Sequence, residues 1–587
     1  MKYFASVFNL NHPGHYLNWS FFTISVANLI IIFVMVIIFG LALLLPFPKA
    51  KKDDLEEERS YYQTKKPLAD NNPMWTARLR NFALRVLPPD KLLPDRQPAY
   101  VSSWIYIFGV ATLASLLMAI ISGMIIALGG PSWWHENSVG HFFNSMHLWS
   151  VELFMAFMVI HLWGKFWMAA WRGNRKLTWM TGVLAFMASI LECFTGYLSQ
   201  QNFDSQWIAT NGKDAINALG IGNFFNLMNF GQMLMWHIVL IPLLLITLVG
   251  AHILLVRAKG VSHPIEKLPK DKKMRKLAHL AEAMPWRGPT KRYDILKEAT
   301  MASVVVLLLV IGLTLMLSSP DAPPVTIASW AKVAPADFMA TAASELAGTS
   351  ATANYGPPYN HGTAYLQGIG VSWQMLAGVH QPINTAETFV LSPLSKSAND
   401  NPTLKNALSK YNMATKAQKA TWNLAYAKVI KKVVFSSGVP IIPKANDGPI
   451  PTLISSELIL AQSGAIDADL LAQQPFYGTN YTKPLLFMED GNYFSSLATK
   501  FHLYGTQWGV MNETGQYPGQ PWLWLYTLWY QVPGLKSSTN VDLIAVYLTG
   551  LATVFLLMVP FIPGIRDIPR HVPIYKLIWR DYYKPKN

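Results

Sequence analysis

Four histidines lie inside two long apolar stretches. His147 and His161 share one and His237 and His252 the other, 14 and 15 residues apart. An imidazole in such a setting is either a hydrogen-bonded side chain between helices or a metal ligand. At ~100° per residue, 14 or 15 steps return to within about 40–60° of the start, so each helix presents two imidazoles on one broad face, about 21–23 Å apart along the axis. A single such residue reads equally well as an interhelical hydrogen bond. Four at matched spacing point to ligation.

One helical hairpin separates the two stretches, so they run in the same direction. His147 then sits at the depth of His237, near the outer side of a membrane, and His161 at the depth of His252, near the inner side. Two imidazole pairs at two depths can hold two six-coordinate haems, because imidazole nitrogen suits iron and hydrocarbon shields the cofactor. Gly109 and Gly123 precede the first stretch, and Gly182 and Gly196 lie between the two, each pair again 14 apart. Glycine pairs in membrane helices usually serve helix packing. In step with the histidines they read as clearance for the edge of a flat macrocycle.

The elements that must carry these residues follow from composition. Hydrophobic residues make up 51% of the 587, and charged residues only 14%, against about 25% in a soluble domain. Disorder and an ordinary soluble enzyme are therefore excluded for most of the chain. Cys193 is the single cysteine. That excludes disulfides, a Cys-ligated iron–sulfur cluster, a structural zinc–thiolate site and a c-type haem carried by this chain.

A spanning helix needs about 20 apolar residues. Such stretches fall at 21–46, 104–128, 145–170, 179–199, 233–256, 302–317 and 541–562. The first is too long for a signal peptide, and its positive charge follows rather than precedes it. Lys49, Lys51 and Lys52 follow the first stretch. Segment 257–297 carries 12 Lys+Arg against 4 Asp+Glu, and Arg566, Arg570, Lys576, Arg580, Lys584 and Lys586 follow the last. These segments share one side, the cytoplasm by the positive-inside rule. Segment 318–540, with 13 Lys, 12 Asp+Glu and no Arg, lies on the other. Topology thus accounts for the net charge of +15, and no nucleic-acid partner is implied.

The expected fold is an all-α membrane protein of about seven transmembrane helices with a large extracytoplasmic domain of unassigned fold. Its parts are an N-terminal anchor (1–48), a cytoplasmic linker with an amphipathic surface helix at 74–87 (49–100), a four-helix bundle (101–265), a basic cytoplasmic loop (266–297), a sixth span (298–318), the extracytoplasmic domain (319–540), a last span (541–563) and a cytoplasmic tail (564–587). Helices are expected near 415–433 and 452–474. Trp522, Trp524, Tyr526, Trp529 and Tyr530 precede the last span as an interfacial aromatic cluster. Glu152 and Glu192, inside spans, read as a proton relay or as carboxyls hydrogen-bonded between helices. His135 and His141, on the outer side just before the third span, read as surface histidines, the alternative being a place near the outer pair or ligation of an additional centre. His12, His15, His361, His380 and His502 suggest no metal site.

At these residues the sequence resembles the cytochrome b/b6 family, the dihaem subunit of quinol:cytochrome c and quinol:plastocyanin oxidoreductases. Spacings of 14 and then 15 look like the b6 branch. The stretch from Arg175 through Leu177, Trp179 and Gly182 is similar to the start of the family's third haem-domain helix, and Thr195-Gly196-Tyr197 to its close. Trp207 lies eleven residues beyond that glycine, as in the family. Arg257 with Gly260 and Pro264 is similar to the exit from the fourth helix. The match covers about residues 74–265.

The resemblance implies that His147 and His237 ligate an outer haem b, that His161 and His252 ligate an inner one, and that Arg257 meets the inner propionates. It implies quinone or quinol as substrate and partner subunits in a bacterial or archaeal cytoplasmic membrane. Those partners would be a Rieske-type iron–sulfur protein, a c-type cytochrome or an external dehydrogenase, with a homodimer by analogy. Three departures stand out. Asn144 replaces an arginine three residues before the first histidine. Gln200-Gln201 replaces Pro-Trp. The family's Pro-Glu-Trp-Tyr motif is absent, and Pro335-Ala-Asp-Phe338 is its nearest counterpart, with Asp337 as the candidate catalytic carboxylate. The function expected is electron transfer between a quinone pool and an extracytoplasmic carrier. The alternatives are a conduit from an external dehydrogenase to quinone without outer quinol oxidation, or a haem-bearing scaffold or transporter.

Overall fold

The computed structural model describes residues 8, 10, 14–48, 74–267, 269–317, 319, 322–436, 439–471, 479–503 and 523–584. The lysines after the first span, Trp522 and His12 lie outside the described residues. Seven described helices are long and apolar enough to cross a membrane: Val26–Leu44, Trp104–Gly129, Ser138–Trp167, Lys176–Leu198, Phe230–Lys259, Ile295–Met316 and Val541–Met558. They are the first to seventh spans, in the order expected. The chain is a multi-pass, mostly helical membrane protein. Leu243, Ile246, Leu308 and Leu551 stand exposed on span surfaces, as hydrocarbon contact requires. Strands occur among the described residues as two-stranded antiparallel pairs.

The second and third spans form one antiparallel hairpin and the fourth and fifth another. The sixth span packs on the second and third, and the seventh on the fourth. The fifth span is not one regular helix. An α segment, Phe230–Met235, passes through a π turn, Trp236–Leu240, into Ile241–Lys259. Pro242 lies just beyond the π turn. A proline has no N–H for the carbonyl four residues back, and its ring crowds that carbonyl. The wider turn relieves both conflicts and takes up one extra residue.

One continuous core joins the segment after the fourth span to the large helical domain. Tyr197, Phe203, Trp207 and Phe230 pack with Trp330, Phe338, Phe389 and Phe487. Helix Phe203–Ala218 is buried on most of its surface, and the Trp207 indole donates to the Leu503 carbonyl at 2.5 Å. The boundaries expected at 265 and 319 therefore do not separate two cores: the connection between the fourth and fifth spans is built into the domain. Helices Lys416–Val429, Ile450–Ser463 and Ala465–Leu470 occupy the two stretches expected to be helical.

At the other end, Tyr100, Trp171, Trp179, Tyr575 and Trp579 form a second core. Glu282 accepts from Arg172 at 2.5 Å and from Arg570 at 2.8 Å, tying the basic loop and the tail to the end of the third span. Helix Trp75–Val86 leaves Trp75, Leu79 and Phe82 exposed, as an interfacial helix does.

Candidate functional site

Each of the four span histidines rests on one of the four glycines. A Cβ added at Gly109 would stand 3.0 Å from His161 Cε1, and one at Gly123 would stand 3.0 Å from His147 Cε1. At Gly182 the same distance to His252 Cε1 is 3.0 Å, and at Gly196 the distance to His237 Cε1 is 2.5 Å. The clearance expected for a macrocycle edge is thus taken by the imidazole itself. In an antiparallel pair the two partner numbers sum to a constant. Gly109 with His161 and Gly123 with His147 keep one sum, whereas Gly182 with His252 and Gly196 with His237 differ by one. The π turn that contains His237 absorbs that residue. Spacings of 14 and 15 therefore place both pairs at matched depths.

The ring nitrogens show how the seats work. His147 Nδ1 lies 3.0 Å from the Ala119 carbonyl and 3.2 Å from Ser122 Oγ. His237 Nδ1 lies 3.0 Å from the Glu192 carbonyl. His252 Nδ1 lies 3.3 Å from Thr181 Oγ1, and its ring also hydrogen-bonds the Thr178 backbone. In each case the backbone partner precedes the seat glycine by four residues: Ala119 and Gly123, Thr178 and Gly182, Glu192 and Gly196. A carbonyl can only accept, so the proton sits on Nδ1 and the Nε2 lone pair is left for a metal. Each of these glycines also follows a hydroxyl residue, Ser122, Thr181 or Thr195. That doublet was the signal in the sequence that the glycine spacing alone did not convey.

The fourth seat breaks the pattern. Phe108 precedes Gly109, and the residue four back, Ile105, lies in a 3₁₀ turn, Trp104–Tyr106, ahead of the α-helix. Its carbonyl is out of α register, and His161 Nδ1 has no hydrogen-bond partner.

The pair geometry fits one metal between two rings. A metal–imidazole bond runs about 2.0–2.1 Å and the ring centre lies about 1.1 Å behind its nitrogen, so two imidazoles on one metal place their centres about 6.3 Å apart. The His147 and His237 centroids are 6.1 Å apart, with the planes at 86°. His252 lies within electrostatic range of His161. Among the described residues no group of three or more His, Cys, Asp or Glu side chains gathers to hold a bare ion. Two imidazoles with Nδ1 held would suit a cofactor that brings further ligands of its own, and haem would meet that description.

The remaining candidates separate clearly. Asn144 Oδ1 accepts from Gln200 Nε2 at 3.1 Å, so two departures from the family pattern form one contact. Arg175 donates to the carbonyls of Gly260, Lys259 and Glu282 at 3.0–3.1 Å. It staples the start of the fourth span to the end of the fifth. Arg257 hydrogen-bonds Tyr293. His135 Nε2 lies 2.6 Å from the Gln200 carbonyl, and His141 is buried. Glu152 lies within electrostatic range of Cys193. Glu192 sits beside His237, with Oε1 3.2 Å from Nδ1.

Asp337 is fully engaged elsewhere. Its Oδ1 accepts from Asn492 N and Nδ2, both at 3.0 Å, and its Oδ2 from Tyr493 N and Trp330 Nε1, both at 2.9 Å. Two carboxylate oxygens offer about four lone-pair sites, and all are taken. The carboxylate caps helix Asn492–Lys500.

Comparison with known proteins bears on the bundle. The family profile described as "Cytochrome b(N-terminal)/b6/petB" matches residues 152–327, taking in His161, His237 and His252 and ending before nearly all of the large domain. The menaquinol:cytochrome c reductase cytochrome b subunit of Geobacillus thermodenitrificans is 25% identical over 221 residues, 33% of this chain and 94% of that protein. Its Bacillus subtilis namesake is 24% identical over 221 residues, with the same two shares, 33% and 94%. Cytochrome b6 of Heliobacterium modesticaldum is 25% identical over 190 residues, 29% of this chain and 89% of that protein. A solved chain titled "Hyperthermophilic respiratory Complex III" superposes with a TM-score of 0.30 at 16% identity, covering 67% of this chain and 98% of that one, too loosely to carry an argument. The resemblance to the cytochrome b/b6 family is borne out.

Proposed function

We propose that this chain, similar to the cytochrome b subunits of quinol-oxidising complexes, passes electrons across the membrane through two haems b. His147 and His237 would hold one, and His161 and His252 the other. The observation that carries the reading is the first pair: two rings 6.1 Å apart, each holding its Nδ1 proton against a carbonyl. Haem b bound by two imidazoles supplies a six-coordinate one-electron centre, suited to transfer rather than oxygen chemistry. The chain's own residues supply the rest. Glycines set the depth of each ring, carbonyls fix its tautomer, and lipid-facing side chains keep water out. Movement of charge between the two depths is sensitive to membrane potential.

The electron partners are a quinone pool and a redox protein docking on the side of the large domain. That side is extracytoplasmic by the distribution of basic residues. The chain acts as one subunit of a respiratory complex, since its single cysteine carries no iron–sulfur centre. The four donors on Asp337 favour a second reading for the outer side, a conduit from an external dehydrogenase with no quinol oxidation there.

Purified protein should contain two b-type haems per chain, and His237→Ala should lose one of them. A colourless preparation overturns the proposal. Haem reduction by quinol that is sensitive to an inhibitor of the outer site separates the two readings: reduction supports outer oxidation, and its absence supports the conduit.

A further inference from the structure

The four imidazoles are not held alike. His147 meets a carbonyl and a serine hydroxyl. His252 meets a threonine hydroxyl and a backbone group. His161 Nδ1 meets nothing. His237 alone meets a carboxylate: Glu192 offers its backbone oxygen at 3.0 Å and its side-chain Oε1 at 3.2 Å to the same Nδ1. The two acceptors come from one residue, which precedes the seat glycine Gly196 by four. That offset directs the carbonyl at the ring, and the side chain follows.

The second carboxylate oxygen of Glu192 is buried without a hydrogen-bond partner. The other oxygen, Oε1, is the one set against the His237 ring. The nearby Thr195 hydroxyl donates to the Glu192 carbonyl at 3.1 Å, fixing the backbone acceptor in place. A buried carboxyl in a membrane span is costly, and packing against Gly196 has no need of one. A side-chain acceptor on the second nitrogen of a ligating histidine orients the ring and raises its basicity. A more basic ligand favours the oxidised metal, so the potential of a centre bound by that ring falls.

We infer that Glu192 is a positioning residue for His237, whose side chain makes that imidazole the strongest donor of the four and lowers the reduction potential of the centre that His237 binds. The inference rests on the proposed haem ligation and deepens it. Its consequence is selective. Loss of the side-chain acceptor should act on the His147–His237 centre and leave the His161–His252 centre alone.

The test is an optical redox titration of the purified full-length protein, wild type beside Glu192→Gln and Glu192→Leu. An EPR spectrum of the oxidised form serves as a second readout, because the low-spin signal depends on the angle between the ligand planes. In Glu192→Leu one of two titrating components should move to higher potential, with its EPR signal displaced. Glu192→Gln, which keeps a neutral acceptor, should fall between that variant and wild type. Should the leucine variant fail to bind haem, the glutamine variant decides. Both components unmoved, or both moved equally, would overturn the inference. Wild-type protein without two b-type centres would instead overturn the ligation on which it rests.

Discussion

The two paired hairpins and the large helical domain bury polar groups by opposite means. In the hairpins the same arrangement recurs: a glycine, the carbonyl four residues before it and a histidine from the neighbouring span. Three of the four seats have all parts, and the fourth lacks its carbonyl for a visible reason, the 3₁₀ turn at Trp104–Tyr106; Phe108 stands where the others have a hydroxyl. In the domain no arrangement recurs. Asp337 caps one helix, and Lys213 is buried between Glu489 at 2.7 Å and Asp214 at 3.2 Å. Glu345 accepts from Ser350 at 2.6 Å. Register determines what the hairpins can hold, whereas single tertiary contacts determine how firmly the domain folds. Substitutions should therefore cost a cofactor in the first region and stability in the second.

The largest effect should come from filling a seat. Gly196→Leu places a side chain where a Cβ alone would stand 2.5 Å from His237 Cε1. The ring must leave, and the protein should retain about half its haem, with the His161–His252 centre intact. Gly109→Leu should remove the other half. Haem per chain, measured as the pyridine haemochrome, checks both. Loss of both centres from either variant would mean that the seats are not independent.

Next comes register itself. Deleting Val151 from the third span turns His161 by ~100° relative to Gly109 and should cost one centre. Deleting Val239 from the π turn, together with Pro242→Ala, should cost none, because it converts the odd turn to a regular one. Equal loss from both deletions would show that the π turn does not absorb the extra residue.

This contrast also explains what could be read from the residues in order. The seven spans are legible because lipid imposes one rule on every exposed side chain. The histidines are legible because their period matches the helix. The glycines were legible as partners, but their task was not: whether a glycine clears a ring or a macrocycle depends on which side chain arrives first. Pairing between Asn144 and Gln200 needs the fold, since one lies in the third span and the other in the turn after the fourth, and each looks like a simple departure. The domain was least legible. Its helix Phe203–Ala218 is buried nearly all round by sequence-distant partners, so it has no polar face to reveal a period. Asp337 shows the hazard, because a carboxylate near the expected place in the sequence is spoken for by Asn492, Tyr493 and Trp330.

That assignment gives the third test. Asp337→Ala removes a helix cap and leaves the Trp330 indole without its acceptor, at a cost of about 2 kcal/mol. Denaturant unfolding of the domain should register it, while haem content and both midpoint potentials stay at wild-type values. A variant of normal stability that had lost quinol turnover would return Asp337 to the chemistry and blur the line between the two regions.

The smallest effect is one of pH. Burial pushes the Glu345 carboxyl up to about 10, aided by the hydrogen bond and charge of Asp490 and opposed by the hydrogen bonds of Ser350 and Thr385. Burial also pushes Glu489 up to about 7 against the pull of Lys213. A raised folded-state value means that the native state binds the proton more tightly than the unfolded chain does. Stability is therefore fully present below the unfolded value of about 4.3 and is lost as pH rises toward the folded one. Glu489 completes its share of that loss near neutrality, and Glu345 continues it into the alkaline range. Glu345→Gln keeps an acceptor for Ser350 and cannot ionise, so its melting temperature relative to wild type should climb steadily between pH 5 and about 9. A difference that stayed flat with pH would mean that the Glu345 pocket is as open to water as a surface site. The buried acid at that position would then have no more consequence for folding than a surface charge.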